Sequence, residues 1–353
     1  MTNSLLQGHL LVVVGAGGVG KTTLAAALAL RSAQEGQRTL VMTFDPSLRL
    51  KDALGVGDDA KDAAVRVVGV GPGELDAALL DAKRTFDRLI RTYAPDAAAA
   101  QRIFSNRFYR DLAGNLAGIL EYMAMERLFE MQAEGGYDRI ILDTPPTRQA
   151  MDFLQAPERM LHLVDNKAIR FALDPWWDGE GRRGLTFRLL AKGAMDLSDR
   201  LIGRRFLLDV VEFIRAFAPL FDGFRARAAA VEALLRAPAT RFVLVAGPGP
   251  ERVPDAMFFL RKLKETGHHL GPIVVNQLHP DPGAVRGKAP GLGLLLRFLA
   301  DRDRRGLELL QSLFPEGQEI LPMALELDPP TDLEGLGRFA QRLAAARPGG
   351  AQK

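Results

Sequence analysis

An apolar run, Leu10–Val14, leads into Gly15-Ala-Gly-Gly-Val-Gly-Lys-Thr-Thr23 and then into an Ala/Leu-rich stretch of helical pattern. Residues 15–22 fit G-x-x-x-x-G-K-[S/T], a loop that cradles phosphate groups. Successive backbone N–H groups in such a turn point inward, and the helix behind it adds roughly half a positive charge. Glycines let the chain approach the anion with no Cβ in the way. Nucleotide contacts are therefore expected from Gly15, Ala16, Gly17, Gly18, Val19, Gly20, Lys21, Thr22 and Thr23. Lys21 is expected to reach the β- and γ-phosphates as a catalytic cation, and the Thr22 hydroxyl to hold Mg²⁺. The same eight residues can arise by chance in a glycine-rich turn. The strand before the loop and the helix after it argue for phosphate.

Two carboxylates follow apolar strands. Asp45 lies in Thr43-Phe-Asp-Pro-Ser-Leu-Arg-Leu-Lys-Asp52, and Asp143 in Ile140-Ile-Leu-Asp-Thr-Pro-Pro-Thr147. At the C-terminal edge of a parallel sheet both would stand beside the phosphate loop. Such an Asp holds Mg²⁺ directly or through water, so Thr22, Asp45 and Asp143 form the expected metal set. Asp45 could also polarise the attacking water, a catalytic role. Taken singly, either Asp could equally cap a helix.

The elements needed to hold these groups are legible as short apolar runs alternating with helical patterns, which indicates a parallel sheet wrapped by helices. Strands are expected at Leu10–Val14, Thr39–Phe44, Val65–Val68, Arg139–Leu142, Phe242–Ala246 and Ile273–Asn276. The helix after the loop should reach about Gln34, with Gly36 as its stop. Helical periodicity fills Glu74 to about Glu134, and again Pro157 to Arg236, where Leu201, Ile202, Phe206, Leu207, Val210, Val211, Ile214 and Phe217 form a stripe. The expected fold is a doubly wound, mostly parallel α/β sheet over residues 1–73, 136–157 and 237–353. A helical subdomain over 74–135 and 158–236 is inserted into it.

The 353 residues are 47% hydrophobic and 25% charged, as in an ordinary globular chain. A net charge of +3 gives no reason to expect a nucleic-acid partner. There is no cysteine, which excludes disulfides, thiolate metal sites and thiol catalysis in these residues. The five histidines have no metal-ligand spacing, and the pair His268-His269 reads as a solvated turn. No apolar stretch approaches the roughly 20 residues of a membrane span, and no secretory leader is evident, so cytoplasmic residence is expected.

With these residues in hand, the chain resembles the ArsA family of ATPases, which includes an arsenical pump-driving ATPase and an ATPase that targets tail-anchored membrane proteins. Gly15–Thr23 resembles the family's deviant phosphate loop. Asp45-Pro…Leu50-Lys-Asp52 resembles its first switch, and the segment from Asp143 to Glu158 its second. Val274-Val-Asn-Gln-Leu278 resembles the strand whose Asn and Gln contact adenine, which would make Asn276 and Gln277 nucleotide contacts. On its own, Asn276 could equally be a turn residue. The segment near Leu321-Pro322 resembles the C-terminal adenine loop. The resemblance implies a homodimeric switch that uses ATP and Mg²⁺ and closes two protomers face to face.

Two departures stand out. The family's second loop lysine, which reaches the partner protomer's nucleotide, is Ala16 here. Slow hydrolysis, a heterodimer with a paralogue, or a substitute such as Arg148 would follow; a solvated surface residue is the more ordinary reading of Arg148. The lack of cysteine removes thiolate arsenite binding and the family's zinc clamp. Met123, Met125, Met131, Met151, Met160 and Met195 form either helix core or a pliable surface for apolar clients. Trp176-Trp177 is either an exposed anchor for a helix or membrane surface, or packs back onto the helices. The arginines between 170 and 227 form a solvated face or bind an acidic surface. The functional expectation is an ATP-driven switch that binds a hydrophobic helix or membrane-protein client at its helical part. The alternatives are a slow or non-hydrolysing nucleotide-binding subunit of a complex, and a spatial regulator of the partitioning or division-site type.

Overall fold

The computed structural model describes residues 4–44, 49–57, 60, 63–107, 109, 119–145, 155–158, 161–162, 212–213, 216–283 and 290–346. Asp45, Arg148, Met151, Met160, Trp176, Trp177, Met195 and the apolar stripe from Leu201 to Ile214 lie outside them. The strands are β1 Leu10–Gly15, β2 Arg38–Thr43, β3 Val65–Val67, β4 Glu74–Leu79, β5 Arg139–Asp143, β6 Thr240–Ala246, β7 Leu270–Leu278 and β8 Ile320–Ala324. They form one sheet in the order β3-β4-β2-β5-β1-β6-β7-β8. Every pairing is parallel except β3 with β4. All six residues of β1 are buried, as expected for the centre of a sheet covered on both faces.

The helices are α1 Lys21–Gln34, α2 Arg49–Leu54, α3 Ala82–Tyr93, α4 Ala97–Ser105, α5 Ile119–Gly135, α6 Phe221–Arg236, α7 Val253–Glu265, α8 Pro290–Leu313 and α9 Leu333–Ala345. The chain divides into two compact units. One holds Met1–Asp81, Leu128–Leu154 and Ala233–Lys353; the other holds Ala82–Arg127 and Gln155–Glu232. No helix among the described residues is long and apolar enough to cross a membrane.

In the sheet-bearing unit α1 is the central helix. Leu24 to Leu30 are each at most 2% exposed. Four alanines in this run, Ala25, Ala26, Ala27 and Ala29, keep the helix slim enough to lie in the core with Leu336, Phe339 and Leu343 of α9. Gly36 stops it in a left-handed conformation, φ 88°, and donates its N–H to the Ala33 carbonyl.

Two strands depart from the sequence expectation. Glu74–Leu79 is β4 and not the start of a helix. Leu75 and Leu79 suit a helical spacing of four, but with Ala77 they also suit a strand period of two, and all three face the core. Asp76, of opposite parity, accepts from Arg66 Nε at 2.5 Å and from the Tyr137 hydroxyl at 3.0 Å. Ile320–Ala324 is β8 although it contains Pro322, which an edge strand tolerates.

Of the pair His268-His269, which follows the turn after α7, His268 is packed and only partly exposed. Gly267, φ 72°, turns the chain back after α7, and the His268 ring packs edge-on against Phe242 at 5.1 Å. Its Nδ1 lies 2.6 Å from Thr266 Oγ1. Burial, aided by the nearby charge of Arg236, pushes the His268 pKa down to about 4. Between that value and the ordinary one near 6.5, the unfolded chain binds the proton and the folded one does not. This contribution to stability is therefore intact above about pH 6.5 and is lost as the pH falls toward 4. With allowance for the partly exposed ring, the loss is about 1–2 kcal/mol. His268→Gln should flatten the acid limb of a denaturation series between pH 6.5 and 4. An unchanged limb would refute this origin.

The second unit is built on aromatic packing. Phe86 meets Tyr109 and Phe217 at 5.4 and 5.7 Å, and Phe217 meets Phe213 and Phe224 at 5.2 and 5.3 Å between ring centroids. Met123 and Met125 of α5 are fully buried. In the sheet-bearing unit Met131 is 6% exposed, so these three methionines are core and not surface.

Candidate nucleotide-binding site

At the C-terminal edge of the sheet, the turn between β1 and α1 lines a cleft of about 660 Å³. Gly17, Gly18 and Gly20 form its floor with Lys21, Thr22 and Thr23, while Asp52 and Ala53 of α2 form one wall. Thr144, Gln277 and the segment Pro329–Thr331 complete it. This volume suits a nucleotide-sized ligand.

Glycine is required at two points of the loop. At Gly15 an added Cβ would stand 2.1 Å from the Val245 carbonyl oxygen, so β6 itself fixes where the loop departs. Gly20, φ 91°, begins α1 from a left-handed conformation, and a Cβ there would stand 2.5 Å from Asn276 Nδ2. No side chain caps this helix start, which leaves its first amides directed toward the cleft as anion donors.

Two sequence-expected residues, Thr22 and Asp143, come together at one point. The Thr22 hydroxyl donates to Asp143 Oδ2 at 2.7 Å, and the Thr43 hydroxyl donates to the same oxygen at 2.9 Å. Asp143 is fully buried at the end of β5. Lys21, 8% exposed, donates from Nζ to the Ala16 carbonyl at 2.9 Å and so spans its own loop. Thr144 turns from the cleft to donate to the Val13 carbonyl at 2.8 Å, which ties the end of β5 to β1.

Asn276 and Gln277 are brought to the loop by β7, which continues through Leu278 beyond the expected end at Asn276. Asn276 is therefore a strand residue and not a turn residue. Its Nδ2 donates to the Val19 carbonyl at 2.9 Å and Gln277 Nε2 to the Gly18 carbonyl at 3.0 Å. Both amides thus brace the loop from the side of β7. Gln277 has φ 66°, the only positive φ of a non-glycine among the described residues, and sits where the β7–β8 register shifts. Of the two, only Gln277 borders the cleft. Leu321 and Pro322 lie within β8; the cleft is bordered instead by Pro329–Thr331, just before the Asp332 cap of α9.

Sequence reading did not single out Thr43, the second hydroxyl on Asp143, or the wall Pro329–Thr331. A strand-end Thr leaves no spacing signal, and a Pro-Pro-Thr loop is ordinary turn composition. Among the described residues no cluster of three or more His, Cys, Asp or Glu side chains is arranged to hold a metal. The donor set present is one hydroxyl and one carboxylate, which suits a cation that keeps waters and takes phosphate oxygens as its remaining ligands.

The anion-transporting (ArsA) ATPase family matches this chain over residues 9–172. A putative arsenical pump-driving ATPase of Chlorobaculum tepidum is 28% identical over 43% of this chain and 36% of its own length. The ATPase ARSA2 of Chlamydomonas reinhardtii is 29% identical over 58% of this chain and 54% of its own length. The ATPase GET3 of Phaeosphaeria nodorum is 31% identical over 48% of this chain and 53% of its own length. The chain thus spans between about a third and about half of the length of these relatives. Residues 9–172 of this chain, which carry the phosphate loop and the Thr22–Asp143 contact at its mouth, are thus similar to the ArsA ATPase family.

Proposed function

We propose that the chain is an ATPase, and that it acts as a dimeric switch in the cytoplasm whose nucleotide state controls binding of an apolar client. The observation that carries the ATPase reading is the Thr22 hydroxyl held at 2.7 Å on Asp143 beside an uncapped helix start. The loop amides take the phosphate oxygens. Lys21 exchanges the Ala16 carbonyl for the β- and γ-phosphates, a trade of a neutral acceptor for a charged one. Thr22 and Asp143 would hold Mg²⁺, which would supply neutralisation of phosphate charge. Thr43 fixes the rotamer of Asp143 from behind. Asp45, on the sequence pattern, orients and polarises the attacking water. Gln277 and Pro329–Thr331 form the wall open to the base.

The sheet-bearing unit is assigned the nucleotide and the helical unit the client, on the family resemblance. A heterodimer with a paralogue remains the alternative assembly. Met123, Met125 and Met131 are core residues and have no part in a client surface. A second reading, a slow or non-hydrolysing subunit, is favoured by one observation: Ala16 stands where the family carries a lysine.

Purified protein should hydrolyse ATP only with Mg²⁺ present. Asp45→Asn should bind ATP with near-native affinity, fail to turn it over, and elute as a dimer with ATP retained. A monomer with weak ATP binding would overturn the switch. Native protein that binds ATP tightly without turnover would select the second reading.

A further inference from the structure

With alanine at position 16, the phosphate loop carries one cationic side chain, Lys21. Next to it lies a small recess bounded by Gly15 and Ala16 on one side and by Gly247, Arg252 and Asp255 on the other. Arg252 ends the short 3-10 turn Pro250–Arg252 that follows β6. Its side chain is exposed, and its guanidinium makes no hydrogen bond or ion pair among the described residues. Asp255 borders the same recess without bonding to it.

The mount of this arginine is stiff. Pro248 and Pro250 flank Gly249, and α8 presses on the turn so closely that a Cβ on Gly306 would stand 1.9 Å from the Pro248 carbonyl oxygen. The stem of Arg252 lies over Gly247, where an added Cβ would stand 3.1 Å from its Cγ and 3.7 Å from its Cδ. A rigid turn thus carries an unengaged, planar, five-donor cation beside a loop built for phosphate. Guanidinium groups match the spread charge of a phosphoryl group in flight better than ammonium groups do.

We propose that Arg252 contacts the γ-phosphate oxygens of ATP and stabilises their charge during hydrolysis, as a second cation supplied from outside the loop. The inference rests on the ATPase reading above. In the step concerned, the water oxygen bonds to the γ-phosphorus. The bond from that phosphorus to the β–γ bridging oxygen breaks, and its electron pair stays on ADP. The water proton passes to the released phosphate. Arg252 neither gains nor loses a proton; it donates N–H bonds to the equatorial oxygens.

The test uses the full chain, its Arg252→Ala and Arg252→Lys variants, and Gly247→Ala, which crowds the arginine stem without touching the cleft. Three quantities are measured: ATP affinity by calorimetry, kcat, and capture of ADP with aluminium fluoride and Mg²⁺. Arg252→Ala should lower kcat by at least about 100-fold, as loss of an arginine finger does. ATP affinity should change by less than about threefold, because the contact forms with the transition state. Arg252→Lys should not restore the rate, and Gly247→Ala should lower it by a smaller factor. Native protein should capture ADP–aluminium fluoride and Arg252→Ala should not. If Arg252→Ala turns over ATP and captures ADP–aluminium fluoride within about twofold of the native chain, the proposal is wrong. That outcome leaves the ATPase reading standing. Failure of the native chain itself to bind ATP removes both.

Discussion

Lys21→Met will reduce ATP turnover by about 10²–10³-fold, the cost of removing one preorganised charge donor at a reacting phosphoryl group. Methionine keeps the length of the stem, and Lys21 is 8% exposed, so the core beneath α1 should be undisturbed. The measured effect is then chemical and not a loss of fold. Calorimetry should show ATP affinity falling as well, because the ammonium group meets the phosphates in the ground state as much as in the transition state. This distinguishes Lys21 from Arg252, for which kcat alone should change. Native-like ATP uptake by Lys21→Met would remove the phosphate loop from the account.

The second large effect concerns stability. Glu126 of α5 is fully buried, and its carboxylate accepts from Arg227 Nε and, at 2.8 Å, from the Tyr122 hydroxyl. The Arg227 guanidinium lies 5.2 Å from the centre of the Tyr93 ring and donates to its hydroxyl. Burial pushes the Tyr122 phenol well up, so it stays protonated and remains a donor. Glu126→Ala would leave Arg227, 18% exposed, without its buried carboxylate, at a cost of about 3–5 kcal/mol. Urea denaturation should register this in the helical unit. The double variant Glu126→Leu with Arg227→Met should recover most of it, since replacing both partners by apolar groups is close to neutral. If the double variant is no more stable than the single one, the loss has another source.

The sheet was legible where strands are buried on both faces. Leu10–Val14 and Phe242–Ala246 are short continuous apolar runs rich in valine and leucine, as strands covered on both faces require. β4 was not legible, because Leu75 and Leu79 satisfy two periods at once and its neighbour α3 extends the helical one. β8 was hidden by Pro322. At the site, the loop and Thr22 were legible because a fixed spacing carries their chemistry, and Asp143 because it ends an apolar strand run. The bracing of the loop by Asn276 and Gln277 was not, since it depends on β7 lying two strands from β1 with a register shift at its end. Arg252 carried no signal in the chain: an arginine after a Gly-Pro-Gly-Pro turn is noticed only once β6 lies beside β1.

Between Leu24 and Leu30 the helix behind the phosphate loop has no wet side. A rod wrapped by apolar neighbours around its whole circumference cannot slide or rotate without breaking many contacts at once, so the grip and the core move together or not at all. The pair behaves as a stator. Any stroke produced by a nucleotide must then fall to the edges of the cleft, where Asp52 of α2 and Pro329 and Thr331 before α9 are exposed. It also follows that hydrogen exchange along this helix is gated by global unfolding, so ligand tightness at the loop and the melting point of the sheet should rise and fall as one quantity.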